Sequence, residues 1–319
     1  MEMSATPDDV RHAYRLLLGR EPDPEGLRVH ADWLRNEKPT TAAVAARLMS
    51  SDEYRARVGV DSDYVLVEMG GYAVYARKGD ALIAAPVIAG AKYEDHVKRD
   101  FEARLFPGAY VLDVGANIGL FTMHAAARVG ASGRVIAVEP LPQNHRALYA
   151  GIVHNRYTNV DVFPFAASDV PALLPAICMV DSSNGIVGIR SNGAAVESHV
   201  PAFPLDGFLS CVPRLDIVKI DIEGNEPKAW RGIVGVLRKF KPVVFTEFSP
   251  IAMRNVGNNA EDYLVQLFDY GATVTVLHHN ADRVACSAAG AVMVEWERAN
   301  SRLGMRGEAH LDLLIDHGP

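Results

Sequence analysis

Five carboxylates close short apolar runs in this chain: Asp113, Glu139, Asp221, Glu223 and Glu247. The first begins the stretch Asp113-Val-Gly-Ala-Asn-Ile-Gly119, a D-x-G-x-x-x-G pattern. Gly115 permits a sharp turn, and Gly119 removes a side chain where a helix must approach closely. A strand, a glycine turn and a helix in succession would aim a row of free N–H groups at a ligand. A dinucleotide fingerprint needs G-x-G-x-x-G, and the first glycine is missing here. The lysine of a phosphate-binding P-loop is missing too, so the pattern suits a nucleoside ligand without a pyrophosphate. Glu139 follows Asp113 by 26 residues and is placed to accept hydrogen bonds from both hydroxyls of a ribose. Ala167 and Ser168, within Ala166-Ala-Ser-Asp169, close a third run and could frame an adenine ring.

The remaining acids form a second group. Asp221, Glu223, Glu226 and Glu247 gather at the ends of two further apolar runs. Such a group could supply a general base that takes a proton from an acceptor hydroxyl. Asp221 is the first choice for base or substrate contact, with Glu223 and Glu247 next. Lys219, two residues earlier and so on the same strand face, could hold Asp221 ionised. The same three acids, Asp221, Glu223 and Glu247, could instead hold Mg²⁺ that acidifies the hydroxyl. Glu223 and Glu226 could equally favour a helix N-terminus. The segment after Asp221 is Ile-Glu-Gly, not the Pro-Pro-aromatic loop of amino-group chemistry, and no Pro-Cys pair offers a thiol nucleophile. His124, His278 and His279 stay peripheral candidates.

The elements that must position these residues alternate strand with helix from residue 110 onward. Val111, Leu112 and Val114 fit a strand covered on both faces, over 110–114. Further strands are predicted over 134–139, 160–166, 215–221, 242–247, 272–277 and 311–315, about seven in all. That order implies a mostly parallel sheet with crossover helices. Ahead of it, residues 63–90 carry a hairpin signal around Gly70-Gly71, and a helix is expected over 93–105. The stretch 170–212, rich in Ser, Asn, Gly and Pro, is expected to be an irregular cover over the site's rim.

Residues 1–60 differ. Thr6 with Asp9, Asp23-Pro24 and Pro39-Thr-Thr41 each mark a helix start, and Ser50 with Glu53 resembles a capping box for a fourth. A small helical module of this size would pack on a neighbour, a second copy or a partner. Its acids Glu21, Asp23 and Glu25 superficially suggest a calcium loop. Pro24 and the absence of a closing Glu argue for helix capping instead.

The chain has 319 residues and a net charge of −7, which disfavours nucleic acid as the main partner. Cys178, Cys211 and Cys286 form no C-x-x-C pair, as in a reducing compartment. The opening residues lack the basic and apolar regions of a signal peptide, and no apolar run approaches membrane-spanning length. A cytoplasmic location is expected.

Asp-Val-Gly-Ala-Asn-Ile-Gly (113–119), Val-Glu-Pro (138–140) and Ile-Val-Lys-Ile-Asp-Ile-Glu-Gly-Asn-Glu (217–226) resemble FkbM-type S-adenosylmethionine-dependent methyltransferases. The resemblance runs from about residue 85 to the C-terminus. It implies an α/β class I, Rossmann-like methyltransferase sheet over 61–319, with its late strand antiparallel. It implies O-methylation, and cofactor roles for Asp113, Gly115, Ala116, Asn117, Gly119, Glu139 and Pro140, with Ala167, Ser168 and Asp221 beside them. The stretch Leu-Gly-Arg-Glu-Pro-Asp-Pro-Glu-Gly-Leu (18–27) resembles a small bacterial helical domain found with glycan-biosynthesis proteins. Together these imply methylation of a sugar or glycan hydroxyl. The alternatives are a small secondary-metabolite hydroxyl and a non-catalytic adaptor in glycan assembly.

Overall fold

The computed structural model describes residues 4–18, 20–51, 53–54, 63–91, 93–178, 185–188, 198–270, 273–280 and 282–317. The chain divides into two compact units, Met1–Val65 and Leu66–Pro319.

The first unit is helical. Thr6 and Asp9 form a reciprocal capping box, and Pro7 occupies the first turn of Pro7–Ala13. A π-helical turn, Tyr14–Leu18, follows. Asp23 caps Pro24–Glu37 by accepting the Gly26 N–H at 2.7 Å. Thr40 caps Thr41–Met49. The acids of 18–27 are thus spent on folding: Glu21 pairs with Arg15, Glu25 with Arg28, and Arg20 with Glu53. A Cβ on Gly26 would meet the Tyr14 hydroxyl at 2.7 Å, so a larger residue there would require the Tyr14 ring to shift. The expected fourth cap shifts by one residue, since Ser51 rather than Ser50 accepts the Tyr54 N–H. Ser50 instead donates to the Arg47 carbonyl, and residues 55–62 lie outside the described ones.

At the start of the second unit β1 (Tyr64–Glu68), whose first two residues close the first unit, and β2 (Ala73–Arg77) form the hairpin. Asn155 fixes its inner strand, accepting from the Ala73 N–H and donating to the Ala73 carbonyl. The helix before the main sheet is shorter than expected, Asp95–Glu102, and a brief helix, Ala84–Ile88, precedes it. Next in the chain come β3 (Tyr110–Val114), β4 (Arg134–Val138), β5 (Val160–Phe163) and β6 (Ala166–Ala167). Strands β7 (Ala172–Cys178), β8 (Gly185–Val187) and β9 (Ser198–Phe203) fall in the stretch expected to be irregular. They build a second sheet of order β6-β9-β7-β8, whose core includes Ala176, Val200 and Ala202. The expectation that this stretch is irregular is therefore corrected, although residues 179–184 and 189–197 lie outside the described ones.

The chain continues through β10 (Ile217–Ile220), β11 (Val243–Phe248), β12 (Thr273–Leu277), β13 (Arg283–Cys286) and β14 (Leu311–Asp316). Among the described residues the main sheet has eight strands rather than seven, in the order β13-β12-β14-β11-β10-β3-β4-β5. The added strand is β13, an edge strand returning antiparallel on β12. β14 inserts antiparallel between β11 and β12, while β11, β10, β3, β4 and β5 pair parallel. Alternate residues divide between the two faces. Leu112, Val114, Val218 and Ile220 pack with Trp230 and Ile233 on one side. Val111, Val135, Ile217 and Phe245 pack with Phe101 and Phe121 on the other. Order reverses between β3 and β10, so the chain leaves these neighbouring strands toward opposite flanks. A crevice must open over their carboxyl ends. Among the described residues no helix is long and apolar enough to cross a membrane.

Candidate active site

A cavity of about 580 Å³ occupies that crevice. It is lined by all of the cofactor-side candidates except Gly119: Asp113, Gly115, Ala116, Asn117, Glu139 and Pro140, with Ala167 and Ser168. Asp221, Glu223 and Glu247 line it as well. Gly119 lies beneath, where a Cβ would meet Leu148 at 2.8 Å and Met123 at 3.1 Å.

The glycine turn departs from expectation in one respect. Its N–H groups are not free. Gly115 and Ala116 donate to the Val138 carbonyl at 2.9 and 3.1 Å, and Gly119 to that of Ala116. Asn117 donates to Glu139 Oε2, and Ile118 to Asn117 Oδ1, each at 2.8 Å. Every amide from 115 to 119 is thereby used, three to hold the turn against the end of β4 and two within the turn itself, which leaves no nest for a phosphate. Asn117 takes a positive φ of 51° between Gly115 and Gly119, a conformation asparagine tolerates.

Glu139 is consequently a structural residue as well as a lining one. Its Oε1 accepts from Leu141 N at 2.8 Å and Asn144 Nδ2 at 3.3 Å, its Oε2 from Asn117 N. A carboxylate has about four acceptor positions, so three are filled. Grasping both ribose hydroxyls would require the long Asn144 bond to yield. Burial pushes the Glu139 carboxyl up to about 7, against those three hydrogen bonds. Asp113 is 1% exposed; Oδ2 accepts the Thr122 hydroxyl at 2.6 Å, while Oδ1 has no protein partner. Burial also raises its pKa. An orphan carboxylate oxygen at a cavity wall is a place for a cationic group or a water.

Lys219 stands beside Asp113 in the parallel register of β10 and β3. It is buried over the Phe121 ring and donates to Asp221 Oδ2 at 2.7 Å. Burial alone would lower its pKa, but Asp221, Glu94 and Asp113 outweigh that and raise it. Past Asp221 the backbone reverses at Glu223, a non-glycine residue at φ 56°. Burial first, then the Asp221 charge, pushes the Glu223 carboxyl up to about 7. Glu247 is half-buried, with its Oε2 out of solvent and unpartnered, and its pKa is raised by burial and by Asp221.

Glu226 resolves in favour of structure. Its Oε1 accepts the Ile222 and Gly224 N–H groups at 2.8 and 3.2 Å, closing the loop between β10 and the helix Glu226–Phe240. Burial pushes its pKa up to about 8. The folded chain thus holds a proton that the unfolded chain releases in the ordinary carboxylate range. This contribution to stability is full at low pH and is lost as pH rises through about 8. In Glu226→Gln the carbonyl can still accept both bonds but nothing ionises. Its melting temperature relative to the parent is expected to climb between about pH 5 and about pH 9. A difference that is flat with pH in calorimetric scans would refute the assignment.

Several lining residues were not singled out from sequence. Tyr93 and Glu94 precede the helix Asp95–Glu102, and Glu94 too has a positive φ, 46°. Burial raises the Glu94 carboxyl to about 7 although Lys219 opposes it. His310 and Asp312 enter from β14 and the turn before it. A signal for these two existed: a strand running antiparallel starts where its parallel neighbours end. His124 lies elsewhere, buried edge-on to Tyr72 with its pKa lowered to about 4 by burial. His278 pairs with buried Glu295 at 3.0 Å.

Residues 113–279 match the family described as the methyltransferase FkbM domain. Among curated proteins, the AMB antimetabolite synthetase AmbE of Pseudomonas aeruginosa is 48% identical over 64 residues. Those residues are 20% of this chain and 3% of that protein. Among solved structures, the methyltransferase FkbM from Methylobacillus flagellatus is similar at a TM-score of 0.40 and 15% identity. The match covers 95% of this chain and 58% of that one. Aeropyrum pernix fibrillarin, in complex with natively bound S-adenosyl-L-methionine, is similar at a TM-score of 0.40 and 13% identity, over 79% of this chain and 99% of that one. The chain thus spans 3% of the curated relative and 58% of the first of these structures.

Proposed function

Because this chain belongs to the FkbM methyltransferase family, we propose that it is an S-adenosylmethionine-dependent O-methyltransferase acting on a hydroxyl of a sugar or glycan. The observation that carries this is the charge of the cavity. Among the described residues eight carboxyl groups line it against two lysines, Lys219 and Lys228, and those that burial holds partly protonated can ionise opposite a bound cation. A cationic donor is favoured in such a field, and a phosphorylated or nucleic-acid acceptor is opposed. A neutral polyol suits both conditions. Glycan specificity also draws on the helical unit's resemblance; recruitment of a polymer, a partner or a second copy is the role we assign to that unit. Thiols at Cys211 and Cys286 are free, in keeping with a cytoplasmic setting.

S-adenosylmethionine supplies the activated methyl group when bound. The residues present fit it: Asp113 Oδ1 lacks a partner, Glu139 retains one acceptor position, and no phosphate nest is built. Glu223 takes the acceptor proton. Lys219 confines the charge of Asp221, which leaves Asp221 to orient rather than to abstract. The Mg²⁺ version is less favoured, because Asp221 is already neutralised by Lys219. A second acceptor class, a small secondary-metabolite hydroxyl, gains from the likeness to part of an antimetabolite synthetase.

Calorimetry with S-adenosylmethionine tests the donor. Glu139→Ala is expected to weaken binding by on the order of 10- to 100-fold, the worth of hydrogen bonds to a charged group. Absence of binding by the parent chain would sink the proposal and leave the adaptor reading. Labelled methyl transfer to neutral oligosaccharides, nucleotide sugars and small alcohols then separates the acceptors. Repeating it without residues 1–60 on polymeric acceptors tests recruitment, and unchanged activity there excludes it.

A further inference from the structure

Three side chains from unconnected elements meet at the rim of the cavity and have no part in the chemistry above. His96 lies on the helix Asp95–Glu102, His279 follows β12, and Asp312 is the second residue of β14. His96 Nε2 is 2.7 Å from Asp312 Oδ2, and the two imidazole rings lie 4.1 Å apart. The three donor atoms all fall within 4.8 Å of one another. A hydrogen-bonded His96–Asp312 pair would be satisfied by itself. It gives no reason for a second imidazole against the first.

We propose that His96, His279 and Asp312 bind a divalent transition metal ion of the zinc type. The donor set decides the class, since two imidazoles and one carboxylate suit borderline metals, whereas magnesium and calcium seek oxygen. Metal–ligand bonds of about 2.0–2.2 Å set neighbouring donors roughly 3.4 Å apart, so the 2.7 Å contact of His96 with Asp312 would open slightly and the His279 ring would turn to complete the set. His279 can make that adjustment, being exposed on the turn after β12. The other two ligands are rigidly seated, His96 at 5% exposure and Asp312 on a strand paired on both sides. Asp312 also faces Glu247 across the antiparallel register. The His310 ring lies 5.8 Å from that of His279, with Nδ1 3.8 Å from Glu247 Oε1. Asp312 and His310 line the cavity, so the site lies beside it.

The test is metal binding by the full chain, so its outcome is independent of whether methyl transfer is observed. Chelator-treated protein is titrated with Co²⁺, followed by its visible absorption, and with Zn²⁺ in competition. One ion per chain is expected. His279→Ala should lower the affinity by more than about 100-fold, beyond the loss of an outer-shell partner. Its metal-free melting temperature should match that of the parent, because the side chain is exposed. His96→Ala should show the same loss of affinity. No stoichiometric binding by the parent, or equal affinity in His279→Ala, would overturn the site and leave an adventitious ion only.

Discussion

Glu223→Gln is expected to slow methyl transfer by on the order of 10²- to 10⁴-fold, the usual worth of a general base. Affinity for S-adenosylmethionine should change little, because the role proposed for Glu223 is toward the acceptor. Glu223 is poised for this role by its surroundings. Burial, aided by the Asp221 charge, raises its carboxyl to about 7, while Lys219 pulls the other way. Near neutrality such a group is ionised often enough to act and basic enough to be useful. The sign follows directly: only the deprotonated form accepts a proton, so kcat of the parent should rise with pH through about 7 and then level. Glutamine cannot titrate, and the variant's residual rate should lack that rise. If the variant keeps the parental rate and profile, the base is another group. Glu94 would be the next to test, since its carboxyl is also raised to about 7 beside the same lysine.

What could be read from sequence follows from local signals. Val111, Leu112 and Val114 announced β3, and the turn after Asp113 announced the crevice, because both depend on neighbours within a few residues. The acids at 221, 223 and 247 were legible as strand ends. Their division of labour was not, because it depends on which one Lys219 reaches and how the backbone turns at Glu223. The small sheet within 170–212 was hidden by its prolines, which usually argue against strands. Leu173 pairs with Pro201, and Pro175 with His199, in the antiparallel register of β7 and β9. The free N–H groups expected of the glycine turn were a borrowed feature of phosphate sites. Here Val138, Glu139 and the turn itself take them, and that leaves room for a donor that carries no phosphate.

Gly115→Ala should remove donor binding and cost about 2–4 kcal/mol of stability, from left-handed strain together with overpacking. Gly115 has φ 88°, where a Cβ is strained even in open space. The space is not open. An added Cβ would be driven into the Asp221 carbonyl group, 2.9 Å from its carbon and from Ile222 Cγ2. Relief would demand that the ends of β3 and β10 part, breaking the bond from Asp221 N to the Val114 carbonyl at 3.0 Å. Gly304 supplies the comparison: its φ is 65° and its ψ 22°, in the left-handed region, and a Cβ there meets nothing within 4 Å. Gly304→Ala isolates the strain, about 1–2 kcal/mol, from the collision. Denaturant melts of the two variants, with calorimetric titration of the donor, measure the difference. Equal melts would mean that β3 and β10 yield readily at their ends. In that case the spacing of Asp113 from Asp221, and with it the alignment of donor and acceptor, would have to be fixed by something other than this glycine.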